Sequence, residues 1–382
     1  MNNHYIPRLL QRQFSTGEKI NTYSFLSESF QTKNIKKVFA ESDLFDAELE
    51  KLFAHKLEGQ FGNLLNHKLL IGKNINLNRE ENLLLRKFIL INFLRAPIVN
   101  TTWEEMLART KLQNHPSVQA REFLIRHKPE FKEFFEEGIP SKNSYISDLK
   151  MAMKYNTLED ILNPANEQTI SKSLQMAAQH AMMTVIAFWD CKDTGQEFIL
   201  PKLPGISQMD QAGIFHKGMI IRKKRAELEK TGFPEALKGE LDRLEYGSMI
   251  CSDNFTIYPL SPTRSLICFS PYFRAFFSIM DPEYKVEIFP PFLEKEQFNR
   301  HFFEPMRMEL FEPCKTFFNR QYNYDVKYIN EEEVMALNAL LLDMETEEFA
   351  FHDYNKIRDS FWYYDKKARF AFGKKHNFSH MG

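Results

Sequence analysis

The sequence has little cysteine, little net charge and no long apolar run. Four cysteines occur among 382 residues without a CxxC pair or zinc-finger spacing, so neither a disulfide framework nor a structural zinc site is expected. Lysine and arginine number 50 against 51 acidic residues. The net charge of −1 therefore provides no global field that would attract nucleic acid or an anionic membrane.

Signals for export and for known enzyme classes are also missing. No apolar run approaches the roughly 20 residues of a bilayer span, and the start at Met1 lacks the features of a signal peptide. We therefore expect a cytoplasmic protein that does not engage a membrane. There is no Walker loop, dinucleotide glycine pattern, HExxH or nucleophile elbow, which disfavours ATPases, NAD-dependent enzymes, zinc proteases and common esterases.

Phenylalanine, in contrast, is abundant. The chain has 36 phenylalanines, and aromatic residues make up 14% of it, which predicts an aromatic-rich core. A chain of this length can bury most of its apolar surface without covalent cross-links. No repeat or low-complexity linker divides it, so we expect a single domain over 1–382. Its mainly helical part would cover roughly 1–195, and a strand-containing part, not independent, roughly 196–382.

Hydrophobic spacing and capping residues predict an α+β fold, mainly helical with a small mixed or antiparallel sheet. Ser42 is predicted to cap one helix, Asn330 to cap another, and Asn78 with Glu81 to cap a third. The predicted segments include a strand over 19–25, helices over 43–66 and 171–190, a strand-like run over 266–269 and a terminal hairpin over 361–372.

Unusual motifs occur at four places along the chain. The first residues read His4-Tyr5-Ile6-Pro7-Arg8, where a terminus normally carries polar filler, so we expect the start to be tucked into the fold. The others are Phe93-Leu94-Arg95-Ala96-Pro97, then Ser252-Asp253-Asn254 with Pro259-Leu260-Ser261-Pro262, and Asn338 in a late helix. In this order the motifs resemble an uncharacterised, mostly bacterial family of unknown function that opens with His-Tyr-(Val/Ile)-Pro-Arg. The resemblance implies no reaction.

These motifs supply the residues of one predicted cleft. His4 can act as an acid, a base or a metal ligand near neutral pH. Asp253 follows a short apolar strand, and strand ends commonly present polar groups to ligands. Arginine side chains suit phosphate or carboxylate. We therefore predict His4 and Asp253 as catalytic, and, as substrate-binding, Arg8, Arg95, Asn254 and Asn338.

This set favours a hydrolase that acts on a phosphate-bearing substrate, either nucleic acid or a nucleotide. A divalent metal such as Mg²⁺ would bind through Asp253. The patchy bacterial occurrence of the resembled family suggests a toxin or phage-defence effector. The alternative is a non-catalytic sensor or partner-binding module that uses the same cleft for a small anion or a peptide terminus.

Structural explanations of the same residues stay open. Asp253 and Asn254 can form an Asx-turn, Arg8 can pair with a buried carboxylate, and Asn338 can bind a loop backbone. The basic and aromatic stretch over 353–382 fits a surface for single-stranded nucleic acid or, more simply, a hairpin packed on the core.

Overall fold

A computed structural model of the chain describes residues 2–42, 45–95, 142–202, 206–209, 225–227, 230, 254–269, 321–344, 347–368, 376 and 378. The strands of this part are β1 (Asn2–His4), β2 (Lys19–Ser24), β3 (Ser29–Asn34), β4 (Ala40–Ser42), β5 (Asn74–Asn78), β6 (Val185–Asp190), β7 (Leu200–Pro201), β8 (Ile206–Met209), β9 (Asn254–Pro259), β10 (Arg264–Phe269), β11 (Gln321–Tyr328) and β12 (Glu348–Phe351).

The described strands form three sheets. The largest has the order β5-β11-β6-β10-β9-β8 and is antiparallel except where β11 runs parallel to β6. The second has the order β3-β2-β12-β7 and is antiparallel throughout. Strands β1 and β4 form a separate antiparallel pair. Both larger sheets combine strands from the first and last thirds of the sequence.

The described residues also form α-helices. They are α1 (Arg8–Gln13), α2 (Ala47–Leu52), α3 (Gly59–Leu64), α4 (Arg79–Arg95), α5 (Lys142–Lys154), α6 (Leu158–Leu162), α7 (Lys172–Met183), α8 (Glu331–Met344) and α9 (Arg358–Tyr363). Helices α2 and α3 are joined by a π-helical turn over Phe53–Glu58, and a second π-helical turn over Leu65–Leu69 follows α3. The predicted α+β class is confirmed.

The core lies on both faces of the six-stranded sheet. All six residues of its inner strand β10 are buried. Leu266 and Cys268 pack into one apolar cluster, while Ile267 and Phe269 pack into a second. This alternation follows from the two-residue side-chain period of a strand. Aromatic rings are frequent in both clusters, as the composition predicts, and Phe61 stacks on Phe88 in the first.

Two of the predicted helix caps are present as reciprocal pairs. Asn78 Oδ1 accepts from the Glu81 amide at 2.9 Å, and Glu81 Oε2 accepts from the Asn78 amide at 3.0 Å. Asn330 and Glu333 repeat the arrangement before α8. Each pair satisfies amides that the first helical turn leaves unpaired.

The predicted cap at Ser42 is wrong. Ser42 ends β4 and lies opposite Asn2 in the antiparallel pair. The helix begins at Ala47 instead, because Asp46 Oδ1 accepts from the Leu49 amide at 2.8 Å. The pairing of 40–42 with the start of the chain is a long-range contact, which helical spacing does not reveal.

The helix predicted over 171–190 is shorter than expected. Ser171, the predicted start, caps the helix, with its Oγ accepting from the Leu174 amide at 3.1 Å. The helix ends at Met183, and Val185–Asp190 form β6. The β-branched residues after Met183 favour a strand, and Arg86 Nη1 donates to three carbonyl oxygens at the end of the helix, those of Ala181, Met182 and Thr184.

The predicted terminal hairpin is wrong over the residues that the structure describes. Arg358–Tyr363 form α9, and a π-helical turn continues it over Tyr364–Ala368. Phe361, Tyr363 and Tyr364 are buried, and the Tyr364 hydroxyl donates to Asp343 at 2.8 Å. The aromatic run therefore packs against α8 in helical spacing.

Candidate functional site

The start of the chain is held inside the fold, as predicted. Strand β1 pairs with β4, and His4 lies opposite Ala40. The Tyr5 amide donates to the Phe39 carbonyl at 2.9 Å, and the Tyr5 hydroxyl donates to Glu41. Tyr5 and Ile6 are buried in the first apolar cluster. Because of this pairing, the residues that follow have a fixed position.

His4 is a buried imidazole with both ring nitrogens engaged. Nδ1 lies 3.2 Å from the Val38 carbonyl oxygen and 3.2 Å from Gln11 Nε2, and Arg8 Nε donates to Nε2 at 3.0 Å. Because Nε2 accepts, the ring proton belongs on Nδ1 and points to Val38. Burial lowers the pKa of His4 below its usual value, and the charge of Arg8 lowers it further. His4 is therefore a neutral acceptor at neutral pH.

Arg8 follows Pro7 at the first position of α1. Its Nε is committed to His4, whereas its terminal nitrogens, Nη1 and Nη2, make no hydrogen bond within the described residues. Arg8 is half-buried and lines a cleft. The imidazole thus fixes the plane of the guanidinium while the terminal fork stays available. This is the geometry in which arginine binds a tetrahedral or planar anion.

Arg95 reaches the same cleft from the end of α4. It is only 3% exposed, and its Nη1 donates to Glu58 Oε1 at 2.8 Å. The guanidinium carbon lies 4.1 Å from the centre of the Phe53 ring, which is a cation–π contact. These two contacts hold a buried cation beside Arg8.

Another wall of the cleft is formed by α2 and by the π-helical turn over Phe53–Glu58 that follows it. In that turn the Gly59 amide donates to the Ala54 carbonyl, five residues earlier. A π-helical turn takes more residues per turn than an α-helix, and such turns recur at functional sites. The cleft has a volume of about 310 Å³ and is lined by His4, Pro7, Arg8, Glu50, Lys51, Ala54, His55, Glu58 and Arg95.

The structure brings His4, Arg8 and Arg95 together but places Asn338 elsewhere. Asn338 Oδ1 accepts from the Ile199 amide at 3.1 Å, and its Nδ2 donates to the Glu197 carbonyl at 2.8 Å and to Ser360 Oγ at 2.9 Å. Both amide hydrogens are used, and none of these partners lines the cleft. Asn338 therefore joins α8 to the segment before β7, which is the structural explanation of this residue.

The other two predicted site residues are Asp253 and Asn254. Asp253 lies outside the described residues. Asn254 is the first residue of β9 and lies opposite Met209 in β8, but its side chain lies outside the described part. The expected proximity of Asp253 to His4 therefore remains a prediction.

No metal site is found in the part of the chain that the structure describes. There, no three His, Cys, Asp or Glu side chains are grouped so that they could hold an ion. Binding of Mg²⁺ through Asp253 therefore stays a prediction.

Sequence reasoning missed the helical wall of the cleft. Glu50, Lys51, His55 and Glu58 lie within the predicted helix over 43–66, whose polar face has the pattern of an ordinary solvated surface. The available signal was weak: a histidine and two glutamates at near-helical spacing. Only the contact with the start of the chain makes this face part of a site.

The fold and the cleft define an α+β protein in which Arg8, at the start of α1, and Arg95, at the end of α4, line one polar cleft. The chain belongs to the family described as "Protein of unknown function (DUF4238)", whose model matches residues 2–353. This match confirms the resemblance to an uncharacterised family. No curated protein and no solved structure is significantly similar to the chain. Among the described helices, none is both long and apolar enough to cross a membrane.

Proposed function

We propose that the cleft binds a phosphate-bearing ligand, a nucleotide or nucleic acid, and that Arg8 and Arg95 hold the phosphate. The observation that supports this most is the orientation of Arg8, whose Nε is fixed on His4 so that Nη1 and Nη2 are presented to the cleft. A preoriented fork loses less conformational entropy when it binds an oxyanion.

The charges around the cleft support an anionic ligand. Three cationic side chains line it, against two carboxylates. One carboxylate, Glu58, is already paired with Arg95, while Arg8 and Lys51 have no ion pair within the described residues. A phosphate would supply the missing countercharge with several acceptor oxygens.

Hydrolysis of that ligand is the second candidate function. It is favoured by a second imidazole, His55, which lines the same cleft as His4. In this scheme a water attacks the phosphorus, a base takes the proton of the water, and an acid protonates the leaving oxygen. His4 can serve as the base only after Arg8 releases Nε2, so His55 and Asp253, with Mg²⁺ as an optional partner, are the better candidates.

The biological setting belongs to the same proposal. A nuclease-like hydrolase would fit a bacterial toxin or antiviral defence effector acting in the cytoplasm. Cys191 and Cys268 are free, buried thiols, and burial raises the pKa of each to about 12. Free thiols are the usual state in a reducing compartment, which supports a cytoplasmic location. The non-catalytic version of the proposal is a sensor that binds the same anion.

Titration calorimetry with adenosine 5′-monophosphate and a short single-stranded RNA tests the binding proposal. Arg8→Gln should weaken binding about tenfold or more, because it removes a charge-assisted bidentate contact. Arg12→Gln is the matched control, since Arg12 lies in the same helix but is exposed and outside the cleft. Equal losses in the two variants, or no binding to the wild type, would contradict the proposal.

Incubation with mixed RNA, DNA and nucleotides, with and without Mg²⁺, tests hydrolysis when the products are read by mass. Asp253→Ala should abolish product formation while leaving the melting temperature nearly unchanged. A large fall in melting temperature would instead make Asp253 a structural residue. If the wild type gives no product, the catalytic proposal fails and only binding stands.

A further inference from the structure

Two buried polar atoms at the cleft have no hydrogen-bond partner within the described residues. One is Glu50 Oε1, a carboxylate acceptor, and the other is Arg95 Nε, a donor. Both residues line the cleft, and the Arg95 side chain is almost fully buried. Buried polar atoms of a folded protein are nearly always paired. The cleft therefore presents an unmet acceptor as well as unmet donors.

Two neighbouring side chains of the cleft are already hydrogen-bonded to other residues. The Glu58 carboxylate accepts from Arg95 Nη1, and Arg8 Nε donates to His4. Lys51 is exposed at the rim of the cleft. An ionised phosphate by itself would suit the arginines, but it would leave Glu50 without a donor and place two anions close together. The occupant should thus carry a neutral donor beside its anion.

We propose that the ligand is a phosphate ester of a hydroxyl-bearing group such as ribose. Its phosphate accepts from Arg8 and Arg95, while a hydroxyl donates to Glu50. This inference rests on the proposed function, and it adds the class of ligand. The volume of about 310 Å³ lies in the range of sites for small organic molecules, so it has room for more than a phosphate.

Glu50 then acts as a specificity residue. A hydroxyl that donates to an ionised carboxylate makes a strong, charge-assisted hydrogen bond. A ligand without the hydroxyl leaves the carboxylate unpaired and near the phosphate, so a site built in this way rejects it. Ribonucleotides and sugar phosphates both carry a phosphate and a hydroxyl group, and the titration below distinguishes between these two classes of ligand.

Calorimetric titration with four probes tests the inference: adenosine 5′-monophosphate, its 2′,3′-dideoxy analogue, ribose 5-phosphate and inorganic phosphate. We expect the wild type to prefer adenosine monophosphate over the dideoxy analogue by about tenfold or more. Tight binding of ribose 5-phosphate would identify a sugar phosphate as sufficient. If ribose 5-phosphate binds much more weakly than adenosine monophosphate, the base contributes to binding and the ligand is a nucleotide.

Two variants connect the preference to Glu50. Glu50→Ala should abolish the hydroxyl preference while binding of the dideoxy analogue and of inorganic phosphate stays equal or becomes tighter. Glu48→Ala removes the same charge from the same helix but lies outside the cleft, so it should keep the preference. Circular dichroism of both variants checks that they are folded.

The outcomes separate this inference from the proposed function. If phosphate-bearing probes bind through Arg8 but the wild type shows no hydroxyl preference, or Glu50→Ala keeps it, this inference is overturned and the binding function stands. If none of the four probes binds and the short single-stranded RNA does not bind either, both fail.

Discussion

His4 acts in this structure as an acceptor, in contrast to the catalytic role that its position in the sequence suggests. Its Nε2 accepts from Arg8, and burial together with the Arg8 charge keeps its pKa below the usual value. A protonated ring would lose that hydrogen bond and would place two cations side by side. His4 is therefore a positioning residue for the Arg8 guanidinium.

Acidification should destabilise the fold partly through His4. Its pKa in the folded chain lies below 6.5, the usual value, so the unfolded chain binds more protons at acidic pH. The contribution is fully present above about pH 6.5 and is lost as the pH falls below that value. Urea unfolding at about pH 7.5 and at about pH 5.5 should show a smaller loss for His4→Gln than for the wild type.

His180 provides an internal check on that comparison. It is the same in the wild type and in the variant, so its contribution on acidification is the same in both proteins. The difference between wild type and His4→Gln therefore isolates His4. Equal losses on acidification would show that His4 is not held neutral by its contacts.

At the scale of elements, the side-chain amide of Asn338 joins three parts of the fold: α8, the segment before β7, and α9. It connects α8 to Glu197 and Ile199 ahead of β7, and to Ser360 in α9. Asn338→Leu would leave these buried polar groups unpaired, each at a cost of about 1–3 kcal/mol.

We expect Asn338→Leu to lower the free energy of unfolding by about 3 kcal/mol or more without changing the affinity for a phosphate-bearing ligand. Glu332→Gln is the control in the same helix, and it should change stability by about 0.5 kcal/mol or less because its pairing with Lys367 is at the surface. Urea unfolding and calorimetry measure the two effects. If Asn338→Leu instead loses affinity for the ligand but keeps the stability of the wild type, Asn338 belongs to the binding site.

Local chemistry explains which elements could be predicted from the sequence. The caps at Asn78 and Asn330 are contacts within four residues of the chain, so the sequence predicts them correctly. The wrong predictions at Ser42 and at 185–190 concern segments that pair with distant strands. Such pairing can override helical propensity, and a single sequence does not show it.

Only part of the cleft can be predicted from the sequence, because the rest depends on contacts between distant segments. The composition of the first residues singled out His4 and Arg8, and the motif around Arg95 singled out the third residue. The wall formed by Glu50 and His55 depends on how α2 meets the start of the chain. No local pattern distinguishes that polar face from a solvated one.

At the scale of the whole molecule, one sheet connects the two apolar clusters. Adjacent residues of β10 point to opposite sides, with Leu266 in the first cluster and Ile267 in the second. Both side chains are fully buried. The two clusters should therefore unfold together, which agrees with the expectation of a single domain.

Leu266→Ala and Ile267→Ala test this coupling. Each should cost about 2–5 kcal/mol and shift the same cooperative transition, followed by far-ultraviolet circular dichroism and by tryptophan fluorescence. Two separated transitions, each moved by only one variant, would show that the halves of the chain unfold independently.

The most direct test of the arginine cleft is crystallography with tungstate, a tetrahedral oxyanion that scatters anomalously. The strongest anomalous peak should lie within hydrogen-bond distance of the Arg8 terminal nitrogens and beside Arg95, and it should vanish in Arg8→Gln crystals. A strongest peak elsewhere on the molecule, or one at the cleft that persists in Arg8→Gln, would contradict the account.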